Sequence, residues 1–150
     1  MANTTPINFN LRVYGLFLDS THERILLVTE TYSKGKMVKF PGGGLEFGEG
    51  THECLVREWQ EETGLRMRPG DLFYINDFFL ISAFNPQEQL QSIYYFVHPE
   101  DGTYPEEWNE VEDSGRRLTF EWRTLSELRD TDLTFPADRV VIKKLRDRFL

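Results

Sequence analysis

The chain has 150 residues, with 25 Asp and Glu against 17 Lys and Arg and a formal net charge of −8. That acidity excludes broad binding to nucleic-acid backbone, which needs cations to displace counterions, and attachment to anionic membranes. A 39% hydrophobic fraction with 12 Phe, 6 Tyr and 3 Trp fits one packed domain over 1–150, and the single cysteine, Cys54, excludes an internal disulfide.

The opening MANTTPINFN is polar and lacks the apolar run of a signal peptide, and no later stretch reaches membrane-spanning length. A cytoplasmic, reducing location is the expectation. Residues 10–19 (NLRVYGLFLD) alternate and read as a strand, followed by a turn over 20–23 and a second strand over 24–30, which together predict a hairpin. A polar loop over 32–36 leads to a short strand over 37–40, which Pro41 and three glycines end. Residues 51–63 read as a helix with Thr51 as its N-cap and Gly64 as its stop. Residues 66–68, 72–84 and 90–98 read as strand, and 99–115 as a long acidic loop. A strand over 118–122, a short helix over 124–129 and an amphipathic helix over 137–149 close the chain. Strands and helices mix without regular alternation, so the expected class is α/β (α+β), a mixed sheet with helices on its faces.

The helix over 51–63 carries its charge in an unfavourable place. At about 100° per residue, Glu58, Glu61 and Glu62 share one arc of the helix, flanked by Arg57 and bordering an apolar stripe of Leu55, Val56 and Trp59. Like charges three and four residues apart repel by roughly 0.2–0.5 kcal/mol per pair. Acids in the last turn also oppose the helix dipole by roughly 0.3–1 kcal/mol each. One divalent cation reverses the sign of all these terms. Three carboxylates with few nitrogen or sulfur donors nearby point to a hard ion, Mg2+ or Mn2+. The glycines 42–44 just upstream allow close backbone approach to a ligand, so a carbonyl of this turn is available to complete the sphere. The turn is neither a Walker loop nor a G-x-G-x-x-G fingerprint.

Gly43, Glu49, Arg57, Glu58, Trp59, Glu61, Glu62, Gly64 and Leu65 spell G-x5-E-x7-R-E-U-x-E-E-x-G-U, where U is bulky and apolar. This segment resembles the signature of the Nudix hydrolases, with Trp59 standing where an aliphatic residue is usual. The resemblance implies an α/β/α sandwich around a mixed sheet and hydrolysis of a diphosphate bond in a nucleoside diphosphate linked to another group. It implies that Glu58, Glu61 and Glu62 coordinate Mg2+ (or Mn2+) with the help of a carbonyl at Gly43. Arg57 then orients carboxylates, and Glu49 braces the turn or touches a metal-bound water. The proton acceptor is Glu58 or an acid of the long loop, with Glu112 favoured over Glu110 and Asp113. Arg12 and Lys39, which flank the signature, are candidate phosphate ligands. The implied partner is a small nucleotide-type substrate, and a homodimer is left open.

A catalytically silent nucleotide-sensing or interaction module is the alternative, and the intact carboxylate set argues against it. An isomerase of prenyl diphosphates needs further residues that the sequence does not place. Residues 78–83 (FFLISA) contain neither the proline nor the tyrosine that marks some Nudix substrate classes. His22, His52 and His98 are too scattered for a zinc site.

Overall fold

The computed structural model describes residues 5–150. Its elements are β1 (Asn8–Leu16), β2 (Arg24–Tyr32), β3 (Gly35–Lys39), β4 (Gly42–Gly44), α1 (Thr51–Thr63), β5 (Met67–Ile75), β6 (Glu88–Pro99), β7 (Val111–Asp113), β8 (Arg116–Thr124) and α2 (Pro136–Phe149), with one 3-10 turn at Asp130–Asp132. The strands form two four-stranded sheets, ordered β4-β1-β6-β5 and β3-β2-β8-β7. The first is mixed: β1 runs parallel to β6 and antiparallel to β4. The second is antiparallel throughout. The hairpin from β1 to β2 joins them, with Leu26 N–H donating to Phe17 O at 2.9 Å.

Alternation along the strands produces two cores, each drawing on both sheets. Val13, Phe17, Leu26, Val28, Val97 and Phe120 pack on one face, where α1 adds Cys54, Leu55 and Trp59. Tyr14, Leu16, Ile25, Leu27, Tyr94 and Phe96 pack on the other, where α2 adds Ala137, Val141, Ile142 and Leu145. The layers are therefore helix, sheets, helix, as the resemblance implied. No helix among the described residues is long and apolar enough to cross a membrane.

Several boundaries differ from the sequence expectation. The glycines 42–44 do not merely break a strand; they form β4, paired with Arg12, Val13 and Tyr14 of β1. Gly50, not Thr51, is the N-cap of α1, and its N–H is met by the Glu53 carboxylate at 3.0 Å. Cys54 belongs to the buried stripe of α1, while Val56 is only partly buried. β5 stops at Ile75, because Asn76 turns inward and binds Gln91 and the Ser92 N–H of β6. In place of the expected helix over 124–129, Thr124 ends β8 and residues 125–127 form a turn, tied by Glu127 and Leu128 N–H donating to Thr124 O. The acidic loop contains the three-residue strand β7.

Candidate active site

The helix α1 and strand β4 meet at the Gly43 backbone. A Cβ built on Gly43 would lie 2.3 Å from Glu58 Cδ, so the missing side chain is what lets the Glu58 carboxylate lie against the strand. Arg57 ties the surroundings together. Its Nε and Nη2 grip Glu49 at 3.0 and 2.7 Å, a bidentate arrangement. Its Nη1 donates to Glu58 at 3.0 Å and Glu61 at 3.5 Å, and Nη2 donates also to the Gly44 carbonyl at 3.1 Å. The guanidinium hydrogen bonds hold the Glu49 carboxyl down at about 2. Glu49 also accepts from the Glu46 N–H, which braces the loop before α1.

Glu62 lies deeper than Glu61. Burial pushes its carboxyl up to about 7; Lys39 and Arg12 pull against this, while Glu58 and Glu30 add to it. Arg12, on β1, donates from Nε to the Tyr14 hydroxyl at 3.3 Å and feels both Glu58 and Glu62. Lys39, on β3, is paired with the buried Glu30 at 3.1 Å, and Arg116 reaches Glu30 from the other side at 3.4 Å.

Arg12, Lys39 and Arg116 all line a cavity of about 400 Å³, together with Glu30, and Arg12 and Lys39 link it electrostatically to the α1 carboxylates. Tyr14 and Tyr94, whose ring centroids stack at 5.3 Å, form part of its wall. Asp138, in the first turn of α2, is buried within the lining. Its Oδ1 accepts from the Tyr94 hydroxyl at 2.5 Å, and its Oδ2 has no hydrogen-bond partner among the described residues. Burial raises the Asp138 carboxyl to about 7, against the Tyr94 hydrogen bond and the charges of Lys39 and Arg12.

The structure thus brings Gly43, Glu49, Arg57, Glu58 and Glu61 into one connected group, while Arg12 and Lys39 line the cavity and feel the charge of Glu62. Glu112 stands apart: it lies on the β7–β8 edge, pairs with Arg117 at 3.5 Å and does not line the cavity. Glu110 pairs with the same arginine, and Asp113 lies 3.9 Å from Arg116. Among the described residues, no three His, Cys, Asp or Glu side chains are grouped so as to hold a metal ion as they stand. The donor chemistry nonetheless suits a hard divalent ion, because the group is all carboxylate with the Gly43 and Gly44 backbone against it. Asp138, Glu30 and Arg116 escaped the sequence. Asp138 follows Pro136 at the start of a helix, where an acid reads as a dipole partner.

A family model described as "NUDIX domain" matches residues 9–145. The chain belongs to the Nudix family. It is accordingly a hydrolase of the pyrophosphohydrolase class. An Escherichia coli (strain K12) protein named 8-oxo-dGTP diphosphatase is 30% identical over 109 residues, 73% of this chain and 74% of that protein. Among solved structures, the Escherichia coli ORF135 protein superposes with a TM-score of 0.71 at 18% identity, covering 94% of this chain and 91% of that one. A MutT protein from Methanosarcina mazei Go1 gives 0.67 at 22% identity, covering 97% and 98%. These structural matches show the same Nudix fold.

Proposed function

We propose that this Nudix hydrolase cleaves a diphosphate bond in a nucleoside diphosphate derivative, with Mg2+ or Mn2+ held by Glu58, Glu61, Glu62 and a carbonyl at Gly43. The observation that carries the proposal is the coupling of two unlike sites. A carboxylate group clamped by Arg57 is coupled through Arg12 and Lys39 to a cavity that those two cations line and that contains a buried, half-satisfied carboxyl, Asp138.

Glu58, Glu61, Glu62 and the Gly43 carbonyl would hold the divalent ion, which would supply charge neutralisation of the diphosphate and a more acidic attacking water. The chain's own residues do the rest. Arg57 fixes Glu58 Oε1 and leaves Oε2 free to accept the proton. Glu49 holds Arg57 in turn and keeps the loop before α1 closed against β4. Arg12 and Lys39 receive the phosphate oxygens at the cavity mouth, with Arg116 as a third cation. The base enters the cavity beside Tyr14 and Tyr94, where Asp138 Oδ2 meets its polar edge.

The likeness to an 8-oxo-dGTP diphosphatase supports placing nucleoside triphosphates, oxidised purines included, first among the substrates. The test is a panel of ordinary and 8-oxo nucleoside triphosphates, nucleoside diphosphate sugars and dinucleoside polyphosphates, assayed with Mg2+ and with Mn2+ for released phosphate products. Metal-dependent turnover of at least one class is expected. Binding of nucleotides with no turnover of any would replace the hydrolase with the silent sensing module.

A further inference from the structure

Trp59, which stands where the Nudix signature usually carries an aliphatic residue, has a counterpart in the sheet. Its indole is fully buried, and Gly15 of β1 lies against it. A Cβ built on Gly15 would come 2.5 Å from Trp59 Nε1, 2.9 Å from Cε2 and 3.0 Å from Cζ2. Gly15 holds an ordinary strand conformation, paired with Tyr95 of β6, so its backbone does not require glycine. The indole does. Val13 and Phe17, two residues to either side, carry full side chains in the α1-side core, and the Phe17 ring meets the indole edge-on at 5.7 Å. Trp59 Nε1 is buried with no hydrogen-bond partner among the described residues. An aliphatic side chain would avoid that desolvation cost, so what the indole adds is reach, down to the backbone of the strand.

We propose that Trp59 is a positioning residue: seated on Gly15, it sets the height of α1 above the mixed sheet and so the place of the Glu58, Glu61 and Glu62 carboxylates. This role rests on the proposed function, in which those carboxylates hold a divalent ion. Trp59 follows Glu58 directly and precedes Glu61 and Glu62 within the same helix, so a displacement of the indole carries all three acids with it. A second seat lies alongside. Gly43 pairs with Val13, two residues along β1 from Gly15, and the Glu58 carboxylate occupies the space where its Cβ would be. Two glycine gaps thus receive two consecutive side chains of α1. Filling the gap at Gly15 puts a methyl against a buried ring rather than against the free end of a flexible chain. A close-packed interior transmits such a displacement instead of absorbing it. A misplacement of about 1 Å in the reacting geometry costs on the order of a hundredfold in rate.

Gly15→Ala, Trp59→Leu and the double variant test the role, with Mn2+ binding measured by calorimetry in the absence of nucleotide and steady-state rates on whichever nucleotide the wild type hydrolyses fastest. Gly15→Ala is expected to weaken Mn2+ binding and to lower kcat by about tenfold or more each, with KM changed by less than about threefold and circular dichroism unchanged. Trp59→Leu, in which the helix loses its seat, is expected to behave likewise and keeps the question decidable should Gly15→Ala misfold. The double variant is expected to bind Mn2+ within about threefold of the wild type, because the alanine methyl then occupies space that the indole has left. Single variants that melt at lower temperature yet bind Mn2+ as tightly as the wild type overturn the role and leave Trp59 as packing alone. A double variant whose loss is the sum of the two single losses also overturns it. A wild type that takes up no Mn2+ and hydrolyses no nucleotide removes the proposed function and the positioning role together, a result distinct from the other two.

Discussion

Two neighbouring glycines of β4 differ in what an added side chain would meet. A Cβ on Gly43 meets only the end of the Glu58 side chain, which can swing away; a Cβ on Gly42 meets the Val13 carbonyl at 2.1 Å, with φ at +155°. Gly43→Ala is therefore expected to change stability by under about 1 kcal/mol while lowering turnover about a hundredfold or more, because the displaced carboxylate leaves the clamp. Gly42→Ala is expected to cost on the order of 2–4 kcal/mol. Thermal melts and steady-state rates on the pair distinguish the two effects. Arg57→Lys preserves charge but cannot hold Glu49 bidentately while also reaching Glu58 and the Gly44 carbonyl. A rate loss of about tenfold or more is expected. Glu62→Gln is expected to abolish turnover in a protein whose circular dichroism is unchanged.

At the scale of one element, α1 contains its own destabilising feature: Glu61 and Glu62 lie near its C-terminus, with no basic residue in the last turn. On the proposed function, a divalent ion on these carboxylates would stabilise the folded state by mass action, about 2.7 kcal/mol at one hundred times the dissociation constant. Chelation is thus expected to lower the melting temperature of the wild type and to leave that of Glu62→Gln nearly unmoved, a comparison that calorimetry makes directly. The helix itself was legible in the sequence because Gly64, with φ at +73°, marks its end and the apolar stripe its inner face. β4 was not legible. Three consecutive glycines carry no strand propensity, and only their pairing with β1 makes them extended. Residues 124–129 failed for the converse reason: Leu125, Glu127 and Leu128 favour helix locally, but Thr124 ends β8 and both leucines are buried in the core.

Across the whole molecule, shifted carboxyls set the pH of greatest stability. Asp138 titrates near 7 when folded, above the ordinary value of roughly 3.9 when unfolded, so the folded state holds its proton more tightly. Its stabilisation is complete below the unfolded value and is lost as pH rises through about 7. Glu62, also raised to about 7, adds to the same decline. Glu49, at about 2, together with Asp19, Asp101 and Glu106, has the opposite sign and loses its contribution as pH falls through their lowered values. In chelator, stability is expected to peak in mild acid, near about pH 5, and to fall toward pH 8. Asp138→Asn is expected to flatten part of that fall in thermal melts. The linkage also shows where sequence reading stopped. The carboxylate group lies within one contiguous signature, Gly43 to Leu65, and could be read along the chain. The cavity is assembled from β1, β2, β3, β6, β8, the segment after β5 and the start of α2, so Asp138, Glu30 and Arg116 meet only once the sheets form.

The lone thiol offers a clock for motions at that junction. Cys54 is fully buried on the inner face of α1, donates toward the Gly44 carbonyl 3.5 Å away, and burial pushes its pKa up to about 12. Alkylating reagents, which need the exposed thiolate, can reach it only when the helix lifts from the sheet. The speed of modification therefore reads out how often the carboxylate-bearing helix parts from its glycine strand, with no introduced probe.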